Sequence, residues 1–251
     1  MIRFFASQQD ISISTIRLCP DNSEHIRALR LRPNELFTVC DGNGVDYVCR
    51  LGERTDSTIA EIISKHKSIG EPSVSCKMYI AYSKGERLDY AVQKSVELGA
   101  HEIVLYESER CIAVPRDIPK KTMRLQRIAM ETAKQCNRGI IPNVTSGGSF
   151  DYIINDAIHS SALTLLFYES EIDLSIKSIL EQHFPPLREQ EEYETSTVSL
   201  ITGPEGGFEP NEVELAQSKD IHIVSLGSRI LRSETAPVVA LAAVMYQTGN
   251  L

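Results

Sequence analysis

The sequence predicts an α/β chain in two parts, a small β-rich domain followed by a larger domain built on a mostly parallel sheet. Three observations carry this. The first 70 or so residues hold short β-rich pieces and little helix, Ile69-Gly70-Glu71-Pro72 reads as a boundary, and from residue 76 apolar strands alternate with amphipathic helices.

In the first part, LFTVCDG at 36–42 and VDYVCRL at 45–51 flank Asp41-Gly42-Asn43-Gly44, a turn that predicts a β-hairpin. An extended start and one helix around His25 to Leu31 complete a compact β domain over residues 1–71. Over residues 72–251 the expected strands are Lys77 to Tyr82, Ile103 to Tyr106, Leu163 to Tyr168, Val198 to Thr202 and Ile221 to Leu226. The first helix of this part opens on a predicted capping box, Ser83 with Glu86. Leu88, Ala91, Val92, Ser95, Val96 and Gly99 then follow at helical spacing, with Gly99 as the stop. A second helix after Pro119 places Leu125, Ile128, Ala129, Thr132, Ala133 and Cys136 on one face and leaves Lys120, Lys121, Arg124, Arg127 and Lys134 off it. Residues 184–197, with two prolines and a glutamate run, read as an exposed loop. The last helix, beginning near Glu234, is apolar on nearly every side from Ala236 to Tyr246, which asks for burial beyond one face.

Composition narrows the function classes. No apolar run approaches the length needed to cross a bilayer, and MIRFFASQQD does not resemble a signal peptide, so a cytoplasmic protein is expected. The six cysteines contain no CxxC pair, which predicts reduced, mostly buried thiols and no metal site. The net charge of -8 argues against a nucleic-acid partner until it is divided along the chain. Residues 1–76 carry 9 Lys and Arg against 10 Asp and Glu, residues 77–138 carry 12 against 8, and residues 139–251 carry 5 against 16. The middle third alone is basic, compatible either with a phosphate-binding face or with a solvated helix surface.

Two loops stand out because both follow apolar strands, where parallel sheets present backbone to ligands. They are TGPEGGFEP at 202–210 and LGSRILRSETAP at 226–237. Glycines let a ligand approach the main chain closely. Neither loop is a Walker A or a dinucleotide GxGxxG motif.

GPEGGF at 203–208 followed by LGSRILRSETA at 226–236 resembles the carboxy-terminal signature of the 16S ribosomal RNA uracil-N3 methyltransferases. SKGERLDYAVQKSVELGA at 83–100, SERC at 108–111 and ETAKQCNRGIIP at 131–142 resemble other segments of that family in the same order. Arg3-Phe4-Phe5 and the cluster His25, Leu29, Arg30 resemble its amino-terminal domain, so the likeness covers nearly the whole chain. The chain departs from the family at three places: Pro33-Asn34 replaces a usual glycine, Glu209 precedes Pro210 where a serine or threonine commonly caps the next helix, and the acidic loop at 184–197 is longer than typical.

The resemblance implies a PUA-like β-barrel that binds RNA, followed by a SPOUT domain whose carboxy-terminal chain threads a trefoil knot. It implies S-adenosylmethionine as methyl donor, a uridine of the small ribosomal subunit's decoding region as target, and a homodimer. It places Thr202, Gly203, Glu205, Gly206, Gly207, Leu226, Gly227, Ile230 and Leu231 around the donor. Methylation at N3 displaces a ring proton, so Glu205 and Glu234 are candidate bases or positioners, and Arg232 and Arg138 candidate stabilisers of negative charge. Arg3, Arg30 and Arg32, with Lys120, Lys121, Arg124 and Arg127, are candidate phosphate contacts. Another SPOUT enzyme acting on ribose or transfer RNA, or a non-catalytic RNA-binding assembly factor, remains an alternative.

Overall fold

The computed structural model describes residues 2–32, 34–51, 59–185 and 196–251. Two expectations therefore lie wholly or largely outside the described residues, the departure at Pro33 and the loop at 184–197. The chain forms two compact units, Met1–Glu71 with Glu131–Ile141, and Pro72–Met130 with Pro142–Leu251. The excursion of residues 131–141 into the first unit is not foreseen by a single cut at Pro72.

The first unit contains β1 (Arg3–Phe5), β2 (Thr15–Arg17), α1 (Pro20–Ala28), β3 (Leu36–Cys40), β4 (Val45–Leu51) and β5 (Ile59–Lys67). Its strands form a curled half-barrel in the order β1-β3-β4-β5-β2, antiparallel except for β1 against β3. The expected hairpin is present as β3 and β4. The Asp41 carboxylate accepts from the N–H groups of Asn43 (2.8 Å) and Val45 (3.0 Å), closing the turn. Helix α1 lies about one turn earlier than expected: Pro20 takes a first-turn position, and the chain leaves the helix before Arg30, whose φ is 52°. Phe4, Ile16, Ile26, Phe37, Val39 and Ala60 form the core.

Buried charge ties residues 131–141 to this unit. The Arg138 side chain, 2% exposed, donates from Nη2 to Glu71 (2.7 Å), and Glu71 also accepts from the backbone of Gly139 and Ile140. Arg3 is held two-pronged by Asp46 at 2.6 and 2.7 Å and donates to the Arg138 carbonyl. Burial pushes the Asp46 carboxyl up, but bonds from Arg3 and Ser68 hold it below the ordinary carboxylate range.

The second unit contains β6 (Ser75–Ala81), α2 (Arg87–Glu97), β7 (Glu102–Glu107), most of α3 (Ile118–Gln135), β8 (Asn143–Ser149), α4 (Phe150–Ser160), β9 (Leu163–Phe167), α5 (Ile176–His183), β10 (Thr197–Thr202), α6 (Pro210–Ser218), β11 (His222–Val224) and α7 (Ala236–Gln247). Its six strands are all parallel, in the order β11-β9-β10-β6-β7-β8. The capping box at Ser83 does not form. Gly85 turns the chain with φ +63°, α2 starts only at Arg87, and the Lys84 N–H donates to Glu205 instead. Gly99 does end the helix, with φ +97°. At α6 the missing serine cap is compensated by Glu212, whose carboxylate accepts the Glu209 N–H at 2.9 Å.

Helix α7 explains its apolar sequence largely within the chain. It packs against α2, α5, β6 and β10, burying Pro237, Ala240, Leu241, Val244 and Met245, while Val239 and Tyr246 remain exposed. All six cysteines are free. Only Cys40, Cys49 and Cys76 are buried, so the expectation of mostly buried thiols holds for half of them. Among the described residues no helix is long and apolar enough to cross a membrane, and no cluster of metal-ligating side chains occurs.

Candidate cofactor and catalytic site

Strand register builds the site. Phe167 at the end of β9 pairs with Thr202 at the end of β10 on one side and with Val224 at the end of β11 on the other, and Thr202 in turn pairs with Ile80 of β6. Four parallel strands therefore finish side by side, and the segments that follow them converge. Crevices at the carboxyl ends of parallel strands are where such sheets bind ligands. Here an open cavity of about 590 Å³ is lined by residues 167–169, 203–208, 225–227, 229–234 and 236 together with Arg87.

Gly203, Glu205, Gly206, Gly207, Leu226, Gly227, Ile230 and Leu231 all line it, as do Arg232 and Glu234. Thr202 does not: it is buried behind the loop, its hydroxyl donating to the Tyr79 carbonyl (3.3 Å) and its carbonyl accepting from the Tyr106 hydroxyl (2.9 Å). It anchors the loop to the sheet. Arg138 is absent from the lining and committed to Glu71 in the first unit, a structural ion pair in place of the expected charge stabiliser. Sequence reading missed Arg87, Phe167, Tyr168, Glu169 and Arg229, which also line the cavity.

Each loop is braced by charge. Arg110 donates to both carboxylate oxygens of Glu209 (2.6 and 3.0 Å) and to the Gly206 carbonyl (3.0 Å), clamping GPEGGF from outside. Glu205 Oε1 accepts from the Lys84 N–H (2.8 Å) and from Arg87 Nη1 (3.0 Å). The Arg87 guanidinium also lies 3.8 Å from Glu234 Oε2, so one cation bridges the two glycine loops. Burial pushes the Glu205 carboxyl up, but backbone N–H bonds and Arg87 more than offset this and hold it below the ordinary range. A carboxylate so stabilised is a poor proton acceptor, which favours positioning over base chemistry for Glu205. Arg232 is different: its side chain is 81% exposed, with Nη1 3.9 Å from Glu234 Oε1.

A nucleoside-sized cofactor fits this construction. Volumes of 300–1,000 Å³ are usual for such ligands. Phe167, Leu226, Ile230, Leu231 and Ala236 supply apolar wall, and at Gly227, with φ +103°, the space that a Cβ would point into is open.

Of the candidate phosphate contacts, Lys120 and Arg127 are exposed on α3, whereas Lys121 and Arg124 both bind Asp89 of α2. In the first unit Arg30 and Arg32 are exposed, but the Arg3 side chain is 8% exposed and paired with Asp46 through both of its terminal nitrogens. Arg3 is corrected from a phosphate contact to part of the buried network.

Comparison with known proteins points to one family. Residues 71–245 match the RNA methyltransferase domain family. The chain is 28% identical over 261 residues to the ribosomal RNA small subunit methyltransferase E of Bacillus subtilis, covering 100% of this chain and 98% of that protein. It is 30% identical over 243 residues to the enzyme of that name from Synechocystis, covering 96% of this chain and 76% of that one. Among solved structures, the ribosomal RNA small subunit methyltransferase E of Neisseria gonorrhoeae bound to S-adenosyl methionine superimposes with a TM-score of 0.80 at 27% identity, over 98% of this chain and 97% of that one.

Proposed function

The chain belongs to the ribosomal RNA small subunit methyltransferase E family, and we propose that it transfers a methyl group from S-adenosylmethionine to N3 of a uridine in 16S ribosomal RNA. The observation that carries this is the cavity at the ends of β9, β10 and β11, walled by both family loops with Arg232 and Glu234 at its margin. The threading of the carboxy-terminal chain as a trefoil knot belongs to the same reading.

When bound, the cofactor supplies an electrophilic methyl group on a positively charged sulfur. The loops hold it through backbone and apolar wall, and Arg87 fixes Glu205 and Glu234 relative to each other across them. Arg232, held loosely by Glu234, is free to turn its guanidinium to the uracil ring and stabilise the charge that develops as N3 loses its proton. Methyl mapping of 16S ribosomal RNA by mass spectrometry, in cells lacking the protein with and without complementation, tests the assignment. Loss and return of one base methyl on a uridine is expected; an unchanged map, or a missing methyl on ribose or transfer RNA, overturns it.

RNA reaches the second unit through α3 in this reading. Neutralising Lys120, Lys121, Arg124 and Arg127 together should weaken RNA binding and flatten its salt dependence. Because Asp89 already engages Lys121 and Arg124 and cancels one of their two charges, Lys120→Ala with Arg127→Ala should account for most of the effect, lowering the slope by about two. An unchanged slope would reduce these side chains to solvated surface. A ribosomal RNA substrate supports a cytoplasmic protein. The exposed Ile230, Val239 and Tyr246 support a homodimer. Sedimentation at micromolar concentration should give twice the chain mass, and a fully active monomer would end that proposal.

A further inference from the structure

Among the described residues three carboxylates line the cavity, and two of them, Glu205 and Glu234, face Arg87. Glu169 is the third. Among the described residues its carboxylate makes no hydrogen bond or ion pair, although it stands two residues beyond β9, at the mouth of the cavity. Arg110, which braces the neighbouring glycine loop, has its donors on Glu209 and the Gly206 carbonyl.

The position of Glu169 is set by the glycine loop. A Cβ added at Gly207 would collide with Glu169 Oε1, so the carboxylate occupies the space that a side chain at 207 would fill. Strand β9 lies directly beside β10, with Phe167 opposite Thr202, so Glu169 follows the strand adjoining the one that carries GPEGGF. In dinucleotide-binding sheets an acidic residue near the glycine turn accepts both hydroxyls of a ribose, because two carboxylate oxygens match two adjacent O–H donors. Those proteins differ in fold; the chemistry of a carboxylate beside a glycine loop is shared. The alternative donors on the cofactor are its α-ammonium and its adenine amino group.

Resting on the cofactor reading of the cavity, we infer that Glu169 is a specificity-determining residue that accepts hydrogen bonds from the ribose 2′- and 3′-hydroxyls of the methyl donor. Glu169→Gln keeps one acceptor and the volume; Glu169→Ala removes both. The position is an exposed turn, and matching thermal melts with and without substitution would establish that the variants fold.

Calorimetry with two probes distinguishes the donors. S-adenosylhomocysteine carries both the diol and the α-ammonium, whereas 5′-methylthioadenosine carries the diol without the α-ammonium. The alanine variant should lose about tenfold to a hundredfold in affinity for both probes by the same factor, the scale of a charge-assisted hydrogen bond, with glutamine intermediate. Removing the 2′-hydroxyl from methylthioadenosine should weaken binding to the natural protein and change little for the alanine variant. A loss confined to S-adenosylhomocysteine would assign Glu169 to the ammonium and overturn the inference, as would unchanged affinity for both. Failure of the unsubstituted protein to bind S-adenosylhomocysteine would instead overturn the cofactor reading itself.

Discussion

Replacing Gly207 by valine is expected to reduce cofactor affinity by more than a hundredfold while the sheet beneath it still folds. Gly207 has φ +71°, a conformation closed to β-branched residues without strain on the order of 1–3 kcal/mol. A side chain there also collides with Glu169, so either the carboxylate leaves the cavity margin or the loop shifts. The first removes a carboxylate from the cavity margin and the second, like the strained φ, moves the backbone that faces the ligand, where close approach is what a glycine loop provides. Gly42 is a control for the backbone effect. Its φ is +75°, a Cβ added there meets nothing within 4 Å, and it lies in the first unit. Gly42→Ala should therefore lower stability modestly without changing cofactor affinity. Gly206 is intermediate: its φ is not positive, and a Cβ would press on Arg110 at 3.0 Å. Calorimetry on the three variants should rank the losses Gly207 first, Gly206 second and Gly42 none; a Gly207→Val protein that binds within a few fold of the unsubstituted one would refute the backbone account.

Much of this site was legible because its two loops follow strands whose apolar runs are unmistakable. SLIT and HIV lead into glycine-containing turns, and the turns carry charge where a structural loop needs none. Glu169 and Arg87 were not legible. Each is a charged residue near an element end, which in one dimension looks like ordinary surface, and only the order β11-β9-β10-β6 brings it to the cavity. Strand β8 was missed for a different reason. NVTSGGS has little β propensity, but its glycine at 147 leaves space that Ile153 and Val104 fill, so tertiary packing makes the strand. The attachment of residues 131–141 to the first unit depends on the pairing of Glu71 with Arg138, 67 positions apart, and no periodicity reports such a pair. Arg138 and Arg3 thus looked functional because they are arginines in family-like segments. Burial shows them to be neutralised where they stand.

Arg232→Ala should separate chemistry from binding. Its side chain is 81% exposed and its nearest partner, Glu234, is 3.9 Å away, so little of the cavity wall depends on it. Cofactor affinity should stay within a few fold, because Leu226, Gly227 and Leu231 remain to hold the ligand. Turnover should fall on the order of a hundredfold or more, the scale seen when one transition-state donor is removed. The sign of the pH response follows from the role. If Arg232 stabilises negative charge on uracil as N3 loses its proton, its loss makes deprotonation limiting, and raising the pH supplies more of the deprotonated base. Activity of the variant should therefore climb with pH more steeply than that of the unsubstituted enzyme, recovering part of the deficit. Lysine at 232 restores charge but not the planar fork and should recover less than full activity. Single-turnover rates measured across pH, alongside S-adenosylhomocysteine binding, decide the matter. Parallel loss of cofactor affinity and turnover would place Arg232 in the cofactor pocket, and a pH profile parallel to that of the unsubstituted enzyme would remove it from the proton step.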